Sequence, residues 1–164
     1  MVSIERIYTI DNDLDAISDV VSTMMDEMRA AFPKTQPFEV ALYEAIHNAI
    51  EHGNLAIPFA EKKALIESGR YDQTIASRRR TTPYAGRAVR VRMLLSDDAI
   101  SFSVADEGDG FDWRAWLPDP DTTEAATGVS GRGITIMRSV FDTVSYNDRG
   151  TEVTLTKKKE RPDA

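Results

Sequence analysis

Cysteine is missing from all 164 residues, which removes disulfides, thiolate metal ligands and a thiol nucleophile together. Histidine is nearly as scarce. His47 and His52 are the only two, so a multi-histidine zinc site has no ligands to draw on. No run approaches the roughly 18 unbroken apolar residues of a membrane span. The opening MVSIERIYTIDND lacks a basic region followed by a long apolar run, so a signal peptide is not expected and a reducing cytoplasm is the expected compartment. Positive charge is in deficit as well. A formal net charge of −7 disfavours a nucleic-acid partner, because such affinity rests on cations facing phosphates.

What remains is an ordinary globular composition, 41% hydrophobic and 29% charged, long enough for one real core. VSIERIYTI reads as a strand, and Asp11 to Asp13 offer an N-cap. Leu14, Ile17, Val21, Met24, Met28 and Ala31 then form one apolar stripe on a long helix ending at Pro33. Its methionines are core, or else an adaptable partner-binding surface. A second helix is expected from Thr35 to Gly53, with Pro37 in its first turn. Phe38, Leu42, Ala45, Ile46, Ala49 and Ile50 share one face, with Glu44, Asn48, Glu51 and His52 opposite.

Residues 55–87 are polar and helical in pieces. Hairpins are expected over AVRVRMLLSDDAISFSVADEG and DTVSYNDRGTEVTLTKK, with LPDPDTTEAATGVSGRG as a mobile loop and GITIMRSVF as a helix between them. This order predicts an α+β fold, a two-layer sandwich whose mixed, mostly antiparallel sheet carries helices on one face. The basic stretch SRRRTTPYAGRAVRVR, Ser77 to Arg92, is either a wet loop and strand face or a dock for an acidic partner.

Three stretches carry chemistry. Glu44 and Asn48, at i and i+4, are neighbours on a helix, so a carboxylate and an amide converge on one point. Magnesium accepts such hard oxygen ligands and needs few of them beside phosphates, although such a pair by itself is more often a solvated face. In DEGDG, Asp106 at a strand end can accept a hydrogen bond from an exocyclic amine, and Gly108 and Gly110 let a flat ring approach. An ordinary glycine turn is the alternative. In GVSGRGITIM, Gly131, Arg132 and Gly133 lead into a helix start, a natural phosphate cradle or else a plain glycine hinge. No G-K-[ST] occurs in the chain, so this is not a Walker loop.

In that order, EAIHNAIEHG, DEGDGF and GVSGRGITIM resemble the N box and the two glycine boxes of the GHKL ATPases, and most closely those of the bacterial anti-sigma-factor serine/threonine kinases. The resemblance spans residues 1–158 as one ATP-binding domain, with an unusually long, partly helical insertion at about 55–87 and a frayed tail at 159–164. It implies ATP and Mg2+ as cofactors, Asn48 as the metal ligand and Glu44 as general base. It further implies Asp106 on the adenine amino group, assisted through water by Thr151, with Gly108 and Gly110 against the ring. Gly131, Arg132 and Gly133 would meet the phosphates. The implied partners are a small STAS-like protein antagonist and a sigma factor or similar regulator, with a homodimer as a reasonable assembly. His47 departs from the pattern, standing where a small or hydroxylated residue is expected. The competing readings are a non-catalytic nucleotide-sensing module and a histidine-kinase-type domain serving a separate phosphotransfer protein.

Overall fold

The computed structural model describes residues 3–115 and 132–160. β1 (Ile4–Asp11) leads through a short 3-10 turn into α1 (Ile17–Met28) and α2 (Gln36–Asn48). A π-helical segment, Ala49–Asn54, continues α2 without a break. α3 (Phe59–Glu67) and α4 (Tyr71–Arg78) follow, then β2 (Ala88–Leu95), β3 (Ala99–Ala105), α5 (Arg132–Val140), β4 (Thr143–Tyr146) and β5 (Glu152–Lys158). The five strands form one sheet in the order β1-β2-β3-β5-β4, and every pairing is antiparallel.

Alternation in the strands decides which side of the sheet is dry. Val91 pairs with Val104 and Met93 with Phe102 across the ladder, and these four are buried along with Val89 and Ile100. Val153 and Leu155 extend this set. Arg90 and Arg92 point to the other, wet face. The buried stripes of α1, α2 and α5 join the dry face in a single core. Phe141, just after α5, meets Phe38 of α2 and Phe102 of β3 edge-on, tying both helices to the sheet. This is the predicted α+β sandwich.

Met24, Met25 and Met28 are fully buried, so the methionine stripe is core and not a partner surface. Asp13 caps the first turn by accepting from the Asp15 amide at 3.1 Å. α1 ends at Met28 and does not run on to Pro33. The second helix also differs from expectation. Past Asn48 its turns widen, as in the 2.8 Å bond from the Leu55 amide to the Ile50 carbonyl, five residues back. The segment Trp116 to Gly131, which includes most of the expected mobile loop, lies outside the described residues, as do 161–164 of the expected tail.

Candidate functional site

One helical turn separates Glu44 from Asn48, and both half-buried side chains face the start of α5. Gly133 is what lets α5 come so near. A β-carbon there would lie 3.1 Å from the Asn48 amide nitrogen and 3.2 Å from a Glu44 carboxylate oxygen. The missing side chain leaves a cradle between acid, amide and helix terminus. Among the described residues neither Glu44 nor Asn48 has a hydrogen bond to its side chain. Arg132 is exposed at the first position of α5. Gly131 lies outside the described residues.

Asp106 follows β3 directly. Its amide donates to the Thr151 carbonyl at 2.9 Å and its carboxylate accepts from the Gly108 amide at 2.8 Å. Burial pushes this carboxyl up to about 6, against the opposing pull of the Gly108 hydrogen bond and of Arg87 and Arg149. Thr151 is fixed by Asn147, whose amide nitrogen donates to the threonine hydroxyl and whose amide oxygen accepts from its backbone N–H. Gly108 and Gly110 have a reason to be glycine inside the protein itself. A β-carbon on Gly108 would lie 2.3 Å from the Gly53 carbonyl, and one on Gly110, which adopts a φ of +85°, would lie 1.9 Å from that of Arg149.

Asn48, Asp106, Gly110 and Thr151 line one cleft, whereas Glu44, Gly108, Arg132 and Gly133 are not on its wall. Asn48, Ala49, His52 and Gly53 come from the α2 edge and its π-helical extension, and Asp106, Gly110 and Phe111 from the end of β3. Tyr146 and Thr151 come from the second hairpin, Ile134 and Met137 from α5, and Phe59 from α3.

Glu51 is where sequence reasoning failed. Expected on the wet edge beside Glu44, it is fully buried, because α3 and α4 fold back over the π-helical segment. Lys62 approaches its Oε1 at 2.9 Å and His52 at 3.0 Å, ion-pair distances whose angles fall short of hydrogen bonds. Tyr71 donates to Oε2. Burial alone would raise this carboxyl, but His52, Tyr71 and Lys62 outweigh it and bring it down to about 2.

His47 also turns this way, with Nδ1 3.5 Å from Glu51, so its ring does not crowd the Glu44–Asn48 cradle. Burial is the main cause that lowers its pKa below the ordinary value. Asn54 was missed as well. Buried, it accepts from the Glu107 amide at 2.7 Å and donates to Asn12 at 2.9 Å, joining the strand end that carries Asp106 to the end of β1. A polar residue directly after Gly53 was its only sequence signal.

The basic stretch is partly consumed within the fold. Arg78 donates to the carbonyls of Leu55 and Ala56, Arg87 donates to that of Asn54, and both guanidiniums lie over the Tyr84 ring. Arg87 therefore ties the end of residues 55–87 to the π-helical segment, and Arg78 ties α4 to the residues that follow that segment.

An acid and an amide on one helix edge face the start of another helix, and the amide shares a cleft wall with the half-buried Asp106. The chain belongs to the histidine kinase-like ATPase family, whose model, described as "Histidine kinase-like ATPase domain", matches residues 10–157. Membership implies ATP as the ligand and a kinase-like or ATPase use of it. No curated protein matches the chain. The donor set fits the implied group. Gly133 brings the start of α5 against the Glu44 carboxylate and the Asn48 amide, and Asn48 shares a cleft wall with Asp106. Among the described residues no cluster of three or more His, Asp or Glu side chains could hold a metal unaided, so a cation here would share its ligands with phosphate. Among the described residues no helix is long and apolar enough to cross a membrane.

Proposed function

We propose that this chain is an ATP-dependent protein serine/threonine kinase of the anti-sigma-factor type. It phosphorylates a small STAS-like protein antagonist and sequesters a partner such as a sigma factor. The observation that supports the reading is the close approach of Gly133, at the start of α5, to Glu44 and Asn48, residue types that can act as a base and as a metal ligand beside a phosphate.

In this reading Asp106 accepts the adenine amino hydrogen bond, with Thr151 beside it and Gly108 and Gly110 letting the ring settle. Gly131, Arg132 and Gly133 meet the phosphates, and Asn48 ligates magnesium through its amide oxygen. Magnesium neutralises the phosphate charge when bound. Glu44 takes the proton from the attacking hydroxyl as the new O–P bond forms. The bond from the γ-phosphorus to the bridging oxygen breaks, and ADP leaves with the electron pair. Serine chemistry is favoured over self-phosphorylation on histidine, because His47 faces Glu51 and His52 is stacked on Phe59.

Calorimetric titration with ADP and ATP, with and without magnesium, tests the site. Wild type should bind in a magnesium-dependent manner, and Asn48→Ala and Asp106→Ala should not. Transfer of labelled γ-phosphate to serine on a STAS-domain protein, lost in Glu44→Ala, tests the activity. Tight binding without transfer to any such protein would replace the kinase with a nucleotide-sensing module.

A further inference from the structure

Residues 55–87 lie between the motifs that the nucleotide reading uses, yet one of their side chains stands inside the cleft. Phe59, the first residue of α3, shares the cleft wall with Asn48, Asp106 and Thr151. Its ring stacks on His52, with centroids 3.6 Å apart and planes inclined by 21°. On the same wall Phe111 lies 5.9 Å from Phe59 and meets Tyr146 edge-on at 5.3 Å. Asp106 offers polar recognition on the same wall. A flat heteroaromatic base also gains from aromatic side chains beside it, and Phe59 and Phe111 line this wall.

Phe59 is held in place by a built attachment. Pro58 enters α3 in an extended conformation, and Lys62, one turn after Phe59, carries the contact to buried Glu51. Tyr71 brings α4 to the same carboxylate. A 2.6 Å contact from His52 Nδ1 to the Ile57 carbonyl fixes the chain just before the helix. Burying a carboxylate at the root of a surface segment is expensive unless its partners stay in place, so the charge group resists peeling of α3 and α4.

We propose that residues 55–87 are part of the nucleotide site: Phe59 contacts the purine base, and the Glu51 contacts to Lys62 and Tyr71 are the hold that positions it. The inference rests on the cleft being the ATP site, and its test separates the two. ADP and CDP are titrated into wild type, Phe59→Ala, Phe59→Tyr and Tyr71→Phe, with thermal melts alongside.

Wild type binds ADP, and Phe59→Ala weakens it roughly tenfold, the scale of losing a base–aromatic stack. CDP, with its smaller ring, loses less, so discrimination between the two narrows. Phe59→Tyr keeps near-wild-type affinity, and Tyr71→Phe shifts ADP affinity in the same direction as Phe59→Ala by a smaller factor. Equal ADP affinity in wild type and Phe59→Ala overturns the inference and leaves the ATP reading standing. No ADP binding by wild type overturns the ATP reading and this inference with it. Should Phe59→Ala melt before it can be titrated, Phe59→Leu keeps the apolar volume without the stack and is expected to lose ADP affinity in the same direction, unchanged affinity again overturning the inference.

Discussion

Gly53 and Asp106 are packed so closely that a β-carbon on the glycine would lie 2.4 Å from the aspartate's carboxyl carbon. The π-helical end of the α2 edge therefore sets the position of the carboxylate proposed to meet adenine. In Gly53→Ala the Asp106 side chain must swing aside and give up the Gly108 amide. The expected result is ADP affinity lowered roughly tenfold or more, since a hydrogen bond to a charged group is worth about that much. The overpacking itself should cost about 1–3 kcal/mol in a melt. Unaltered ADP affinity in a folded Gly53→Ala protein would separate Asp106 from the base.

The raised pKa of Asp106 makes a pH prediction whose sign differs for fold and ligand. The folded, nucleotide-free protein keeps the Asp106 proton up to about 6, whereas the unfolded chain releases it near 3.8. This group's contribution to stability is therefore fully present below that lower value and is lost as pH rises through about 6. Nucleotide binding runs the other way, because the carboxylate is the better acceptor for an amino group. ADP affinity should decline as pH falls below about 6. Calorimetry across that range checks it, and Asp106→Asn should bind weakly with a flat profile.

Gly133→Ala separates stability from function. The added methyl would sit 3.1 Å from Asn48 and 3.2 Å from Glu44, both side-chain ends that can yield by a few tenths of an ångström. Alanine also favours a helix over glycine by roughly 0.5–1 kcal/mol. The melting temperature should stay level or rise slightly, while magnesium-dependent ATP binding falls because the cradle is filled. A variant that binds ATP as wild type does would place the phosphates elsewhere.

Glu51 should reveal itself at low pH. Its folded value of about 2, against an ordinary 4.5, means that its stabilisation is present above the ordinary value and is lost as pH falls toward 2. The shift corresponds to a contribution on the order of 3 kcal/mol. Glu51→Gln should melt well below wild type at pH 7, and the gap should close as both are acidified. A gap that is constant with pH would mean that the carboxylate's charge is immaterial to the fold.

Much of this was legible in the residues. Alternation picked out Val89, Val91 and Met93 against Ile100, Phe102 and Val104 as the dry side of a hairpin, because strand period alone assigns a face. Helical spacing placed Glu44 and Asn48 side by side for the same kind of reason. It failed at Glu51 and Asn54. Extrapolating one α-helix through Gly53 misses a change of turn, and no local period can report that α3 and α4 will cover that edge. The run of arginines likewise read as a surface until Arg78 and Arg87 were seen to hold buried-side carbonyls.

The sequence by itself determined directions: which side of each helix and strand is apolar, which polar groups share an edge, and where glycine breaks the chain. Each follows from the geometry of a residue relative to its own element. Tertiary structure alone decided meetings. Gly133 against Asn48, Gly53 against Asp106 and Phe59 in the cleft beside both join segments far apart in the chain. Those contacts depend on how the core closes, which side-chain spacing within one element does not encode.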